Sequence, residues 1–338
     1  MANLKILEGV DSKLSEELNY SYYANNVNLH FETFAMLEAY QKASALLLYL
    51  FLNKQLEIQS GSRINILELG AHGTYFERGV YKYIELLDKQ NKTNYAERIR
   101  YRILDISKEA IEIAKKSYDL DRDRHFITEF YLGNALDKNV FPLENHATIM
   151  NELLDDLRHI VVKRSGKELH ECTFSLDCIG HVAWLTPQGE RPLKEKEIPK
   201  KDQLRIIRGL KDGYSTTHSP SIPILFDNIE RASQKSSLIM VHDYFIYQSS
   251  TPRLGRVYGS IDCSNKEQVK INGSIQITYD VNFGELIYTI QKHGFDIMAT
   301  MPTDDFVRGN FDNVPINKIK RSLNDKNNYL NIVAVKRP

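Results

Sequence analysis

Apolar positions along this chain alternate between two periods. Residues 34–56 repeat them at helical spacing with no Pro or Gly, until Gly61-Ser62 breaks the pattern. Ile64-Asn65-Ile66-Leu67-Glu68-Leu69 then reads as a strand that ends at Gly70, and residues 80–87 return to a helical pattern. Residues 100–104 predict a second strand, 108–117 a helix, and 125–131 a third strand. A fourth apolar run, 147–150, precedes Asn151-Glu152 and a helical 153–157; a fifth, 237–241, ends at His242-Asp243. A helix at 283–293 and strands at 295–300 and 329–335 complete the series. Strands alternating with helices predict βαβ units. The expected fold is α/β, a Rossmann-like sheet that is mostly parallel with an antiparallel C-terminal strand.

Between 158 and 236 the rhythm changes. Residues 170–185 alternate in a strand-like way and predict a hairpin, followed by charged, proline-containing loops. This stretch reads as an insertion between the fourth and fifth strands. The organisation expected is a helical N-terminal lid segment (1–60), a cofactor-binding half (61–157), an insertion covering the acceptor site (158–236), and the remainder of the sheet (237–338). Tyr20, Tyr22 and Tyr23 are candidates for the lid, with core packing as the equal alternative.

Composition narrows the function. The chain has 338 residues, 42% hydrophobic and 26% charged, an ordinary globular balance. Lys plus Arg equals Asp plus Glu at 44 each, so no basic excess is present to neutralise a phosphate backbone, and nucleic acid is not an expected partner. The most apolar run, 43–52, has about half the ~20 residues that span a bilayer, so no membrane partner is expected. Cys172, Cys178 and Cys263 are three, without tight spacing, and the N-terminus lacks a signal-type apolar core. Both features predict a reducing, cytoplasmic setting. His170-x-Cys172 with Cys178-x-x-His181 has zinc-ligand residue types. Strand alternation explains them as well, and no metal is expected.

The strongest local signal is Glu68-Leu69-Gly70-Ala71-His72-Gly73-Thr74, a strand, a tight turn and a helix start. Gly70 permits a sharp turn close to a ligand, and free N–H groups at the helix start suit an anion. Asp105 closes the next strand, and an acid at that place accepts ribose hydroxyls. Ile106 follows it, and Gly133-Asn134-Ala135 follows the third strand, where the Asn134 amide is a candidate to read an adenine edge, with Ala135 beside it. A dinucleotide site wants Gly-x-Gly-x-x-Gly. Only Gly70 and Gly73 stand here, so S-adenosyl-L-methionine fits better than NAD. An ordinary capped βα turn with a surface aspartate is the plain alternative.

Further on the chain carries Asn151-Glu152-Leu153-Leu154-Asp155, Asp243-Tyr244, and Thr278-Tyr279-Asp280-Val281-Asn282-Phe283. With Glu68-x-Gly70 and Asp105, in this order, these motifs resemble the MidA family of S-adenosylmethionine-dependent methyltransferases. That family includes the mitochondrial arginine methyltransferase that assists respiratory complex I assembly. The resemblance covers roughly residues 20 to 310. It departs at Asp156-Leu157-Arg158, where the family has Ala-Leu-Pro, at Ala71-His72, at Phe245 in place of Gly, and at 214–218, which lack a usual glutamate.

The resemblance implies methyl transfer to a guanidinium nitrogen of arginine, free or within a protein. Glu152 is the expected catalytic carboxylate with Asp155 in support, one helical turn away, since a guanidinium pairs bidentately with carboxylates. Asn151, Asp243, Asp280 and Asn282 are the expected acceptor-binding residues. Glu68, Gly70, Gly73, Asp105, Ile106, Asn134 and Ala135 are expected on the cofactor. Without the resemblance, the 152–156 acids read as a helix start favoured by the dipole. Methylation of another small metabolite, and a non-catalytic assembly factor on the same fold, are the competing functions; a homodimer is the candidate assembly.

Overall fold

The computed structural model describes residues 4–10, 13–14, 17–19, 22, 33–55, 62–71, 73–179, 182–193, 197–252, 257–262, 270–311, 314–324 and 328–337. Its central sheet runs β14-β15-β10-β5-β2-β3-β4. The strands are β2 (Ile64–Leu69), β3 (Ile99–Asp105), β4 (Ile127–Leu132), β5 (Asn145–Asn151), β10 (Ser233–Ile246), β14 (Phe295–Pro302) and β15 (Asn328–Lys336). The β4-β3-β2-β5-β10 pairs are parallel, whereas β15 is antiparallel to both β10 and β14. The predicted α/β sheet with its reversed C-terminal strand is therefore the fold observed.

Parallel strands bury both faces, so they need apolar residues at successive positions. Ile64 and Ile66 of β2 pack in one core cluster, while Leu67 and Leu69 pack in the other. Met240 joins the first and Ile239 and Val241 the second, as strand alternation requires. Helices α1 (Glu38–Gln55) and α2 (Tyr75–Asn91) cover the first face through Leu48, Leu52, Phe76 and Val80. Helix α3 (Lys108–Leu120) follows β3. Helices α5 (Ser221–Ala232) and α6 (Phe283–Lys292) cover the second face through Leu225, Phe226 and Leu286.

A smaller antiparallel sheet stands between β5 and β10 in the chain. Its strands are β6 (Ile160–Ser165), β7 (Glu168–Ile179), β8 (Val182–Pro192) and β9 (Ser215–His218), with helix α4 (Lys200–Gly209) beside it. The expected hairpin is β7–β8. Helix α5 also falls within 158–236, but it packs under the central sheet. The N-terminal segment differs from a purely helical one: β1 (Leu4–Val10) pairs antiparallel with β7. An unpaired edge of a long hairpin invites such a strand, a contact that local spacing does not announce.

Three further boundaries differ. Residues 153–157 make only a single 3₁₀ turn at Leu154–Asp156. β4 starts at Ile127, because His125 and the Phe126 N–H are held by buried Glu77. β10 continues past Asp243 to Ile246, where β13 (Val281–Asn282) pairs with it. Hairpin β11 (Val257–Asp262) and β12 (Lys270–Ile277) precedes β13. Among the described residues, no helix is long and apolar enough to cross a membrane.

Candidate active site

The C-terminal ends of β2, β3 and β4 form one edge of the sheet, where ligands of open α/β folds bind. Gly70 ends β2 with φ +67°, and a Cβ there would lie 2.9 Å from Leu153 Cδ1. Gly73 has φ +148°, and Tyr75 just beyond it is 60% exposed at the start of α2. Both glycines thus occupy backbone that other residues adopt only with strain. Asp105 is buried, and its Oδ1 accepts from the Ser107 N–H at 2.8 Å. Ser107 in turn caps α3 by accepting from the Ala110 N–H.

Ile106 is 42% exposed, and Leu132, at the end of neighbouring β4, is 50% exposed. Two bare apolar side chains on adjacent strand ends are the lining a flat heterocycle wants. Gly133 follows, tight against Val140. Asn134 Oδ1 accepts from the Leu136 N–H at 2.9 Å, and the Ala135 carbonyl accepts from Asn228 Nδ2 at 3.0 Å. Asn134 is therefore a turn residue whose side-chain oxygen is bonded within its own loop. The sequence reading missed Leu132, although its place directly before Gly133-Asn134 could have flagged it.

Glu68 lies inside the sheet rather than on the turn. Its Oε2 accepts from the Tyr101 hydroxyl at 2.9 Å and its Oε1 from Asn151 Nδ2 at 3.4 Å. Burial pushes its carboxyl up to about 8, while these two donors pull it down. Glu68 so links β3 to Asn151, the last residue of β5.

At the ends of β5 and β10 the character changes. Glu152 has φ +48°, a left-handed conformation for a non-glycine residue. Its N–H donates to the His242 carbonyl at 2.8 Å, and its Oε1 accepts from the Phe34 N–H at 3.1 Å. Backbone strain of this kind persists where surrounding contacts over-determine it, and it concentrates at functional sites. Asp243 is buried, with Oδ2 accepting from the Leu154 and Asp155 N–H groups and Oδ1 from the Tyr244 N–H. Asp155 is buried, and among the described residues its Oδ1 has no partner. Burial, then the nearby Asp243, hold the Asp155 carboxyl well above the usual range. Burial does the same to Asp243, against the opposing pull of the Tyr244 and Leu154 N–H groups.

The Thr278–Phe283 motif meets this acidic group from the side. The Tyr279 N–H donates to the Asp155 carbonyl at 2.9 Å, and the Tyr279 ring stacks on His159. Asp280 is buried, close enough to raise the Asp155 carboxyl further, and its carbonyl accepts from the Thr217 hydroxyl. Asn282 is placed differently from a ligand-facing group. Its Oδ1 caps α6 by accepting from the Glu285 N–H at 3.0 Å, and its Nδ2 donates to Thr216 Oγ1 at 2.6 Å.

Aromatic rings complete the wall. Phe34 stacks on Tyr329 at 4.3 Å, and Tyr244 meets Tyr329 edge-on at 4.8 Å. Glu152 and Asp243 both act electrostatically on the Tyr329 hydroxyl. Neither Phe34 nor Tyr329 was legible as a site residue, since they come from opposite ends of the chain. His242 and Asp243 face opposite ways, as expected of adjacent strand residues. His242 packs against Tyr40 and Phe306 and bonds Asn331, and burial holds its imidazole down at about 3. Cys172 is buried and its thiol is pushed up to about 12 by that burial. The Cys178 side chain, His181, His72, Tyr20, Tyr23 and Cys263 lie outside the described residues; Tyr22 is described and is buried.

Residues 48–301 match the sequence profile of the family described as "putative S-adenosyl-L-methionine-dependent methyltransferase". No curated protein sequence matches the chain. A solved structure from Burkholderia thailandensis, titled a "likely methyl transferase" bound to S-adenosyl-homocysteine, aligns with TM-score 0.64 at 14% identity, over 98% of this chain and 88% of that one. A native structure of an uncharacterized protein of the same superfamily and organism aligns with the same TM-score and coverage at 15% identity. At this identity the likeness establishes a shared fold.

Proposed function

The chain belongs to this family of S-adenosyl-L-methionine-dependent methyltransferases, and from that premise we propose that it methylates a guanidinium nitrogen of arginine, free or within a protein. The observation that carries the acceptor is the joining of three buried carboxylates and the half-buried Glu152 with aromatic faces at the C-terminal parts of β5 and β10. Glu152, Asp155, Asp243 and Asp280 crowd together beside Phe34, Tyr244 and Tyr329. Like charges this close disfavour one another's ionisation, and a cation between them relieves that cost. A planar, delocalised cation also gains from aromatic faces. The MidA-like Asn151-Glu152-Leu153-Leu154-Asp155 and Thr278–Phe283 motifs supply most of these carboxylates and point to the same acceptor.

The cofactor side of the site is then the β2-β3-β4 edge. Gly70 and Gly73 let the backbone approach the ligand, Asp105 takes the ribose, and Ile106, Asn134 and Ala135 flank the base. Glu68 supports this edge from below. S-adenosyl-L-methionine supplies an electrophilic methyl group when bound. Glu152 orients the guanidinium nitrogen toward it and takes up the proton that this nitrogen must lose. A guanidinium is a poor nucleophile because its lone pairs are delocalised, so alignment and charge stabilisation are the main contributions a protein can make. Asp155 and Asp243 hold the opposite side of the cation, and Asp243 also shapes the 154–155 backbone.

Calorimetric titration of S-adenosylhomocysteine, followed by L-arginine or an arginine-containing peptide, tests this reading. Arginine heat seen only in the nucleoside complex, with a mass gain of one or more methyl groups on turnover, is the expected result. Nucleoside binding without any response to either arginine probe would overturn the acceptor assignment and favour another metabolite.

A further inference from the structure

Asn151 sits between the two halves of the site, and its amide has two ends to orient. Nδ2 donates one N–H to Glu68 Oε1, and among the described residues the second N–H has no partner. Oδ1 accepts from the Tyr40 hydroxyl at 3.4 Å. Tyr40 comes from α1, 111 residues earlier in the chain, and is fully buried. Its ring is clamped by His242 at 4.7 Å, Phe306 at 5.2 Å and Phe76 at 6.2 Å. The phenolic oxygen is therefore held in place beside Asn151.

Two other groups lie near the Tyr40 hydroxyl, the Tyr329 hydroxyl, which acts on it electrostatically, and the Asn331 amide. Asn331 Oδ1 lies 3.4 Å from the Tyr40 hydroxyl, but it also bonds His242 Nδ1, while Asn331 Nδ2 donates to Thr303 Oγ1 at 3.3 Å. A hydroxyl carries a single proton. Asn331 Oδ1 already has the His242 imidazole beside it, whereas among the described residues Asn151 Oδ1 has the Tyr40 hydroxyl as its donor, and we take the proton to be shared toward Asn151. That donation selects one of the two amide orientations, the one in which the NH₂ group meets Glu68 and keeps an N–H for a ligand at the strand ends.

We propose that Tyr40 is a positioning residue of the methyl-transfer site, its hydroxyl fixing the Asn151 amide between the cofactor edge and the acceptor edge. The inference rests on the reading that donor and acceptor meet at the ends of β2 and β5. The same N-terminal segment reaches the next residue as well, through the Phe34 N–H on Glu152 Oε1. Helix α1 is thus a part of the site and not only a cover for the sheet. Neither Tyr40 nor Asn331 belongs to any motif of the glycine turn.

A double-mutant cycle on the full chain tests this. S-adenosylhomocysteine affinity is measured by calorimetry for wild type, Tyr40→Phe, Asn151→Ala and the double variant, with thermal melting of each. Phenylalanine keeps the ring and its packing and removes only the hydroxyl. Tyr40→Phe is expected to weaken binding about fivefold in the wild-type background, the worth of one net hydrogen bond, and to have no further effect in Asn151→Ala. Equal factors in both backgrounds, or wild-type affinity for Tyr40→Phe, would overturn the role of Tyr40 alone. A wild-type chain that does not bind the nucleoside would bring down the site reading and this inference together.

Discussion

The two halves of the site are assembled over different distances along the chain. On the proposed cofactor edge the strand-end turn residues bond within their own loops, while Glu68 reaches across the sheet. Asp105 accepts from the N–H two residues on, and so does Asn134. On the proposed acceptor edge the contacts are remote. Phe34 reaches Glu152 across 118 residues, Tyr40 reaches Asn151 across 111, and Asp243 holds Leu154 across 89. The first half is a set of strand-end turns whose chemistry is written within a few residues. The second exists only once β5, β10, β13 and the N-terminal segment have been brought together. It follows that cofactor binding should fail through local backbone changes, and turnover through changes at remote contacts.

The largest effect expected is at Glu152. Glu152→Gln should lower turnover by about 100- to 1000-fold while leaving S-adenosylhomocysteine affinity nearly unchanged. A fully active glutamine variant would remove Glu152 from the chemistry. Gly70→Val should do the reverse. Its φ of +67° and the approach of Leu153 make any side chain there strained, and a cost of ~3 kcal/mol corresponds to roughly 100-fold weaker nucleoside binding. Wild-type affinity in the valine variant would show that the turn does not approach the ligand.

Phe34 allows the remote half to be probed at one backbone atom. Thr33 has φ −99° and ψ 158°, extended backbone that tolerates a following proline, and Phe34 opens a 3₁₀ turn where proline fits. Phe34→Ala removes the ring but keeps the N–H, whereas Phe34→Pro removes both. If the N–H orients Glu152, kcat should fall a further ~5-fold from alanine to proline. Equal rates would leave Phe34 only its stacking on Tyr329.

The pH dependence tests Glu68, whose upward shift has the same sign as those of Asp155 and Asp243. Its carboxyl stands at about 8 in the fold against 4.5 ordinarily, so the folded chain binds this proton more tightly than the unfolded chain. The stability it contributes is fully present below pH 4.5 and is lost as pH rises through 8. His242, held down at about 3, and His159, at about 4, have the opposite sign and lower stability as pH falls below 6.5. Between pH 6.5 and 8 the melting temperature of the ligand-free protein should therefore fall as pH rises, and Glu68→Gln should flatten that slope. An unchanged slope would place the titration elsewhere.

The smallest effect concerns Asn282. As a helix cap its replacement by Ala should cost ~1 kcal/mol of stability, seen in denaturant unfolding, and Ser should restore it. Restored stability without restored turnover in Asn282→Ser would return Asn282 to the acceptor site; restoration of both would leave it a cap.

Sequence periodicity alone determined the central sheet, because parallel strands must be apolar on both faces and their helices amphipathic. It also located the glycine turn, Asp105 and Asn134, since Gly and Asx turn chemistry acts over two or three residues. The MidA-like motifs singled out Glu152, Asp155 and Asp243, and the fold brings the three carboxylates close together. Asn282 was legible as a motif residue, but a helix cap and a ligand contact use the same side chain, and only the position of the Glu285 N–H distinguishes them. The N-terminal strand on β7, the aromatic wall of Phe34 and Tyr329, and the Tyr40 bond to Asn151 were decided by the tertiary structure. Each joins segments more than a hundred residues apart, and the free energy of such a contact depends on what the rest of the fold has already buried around it.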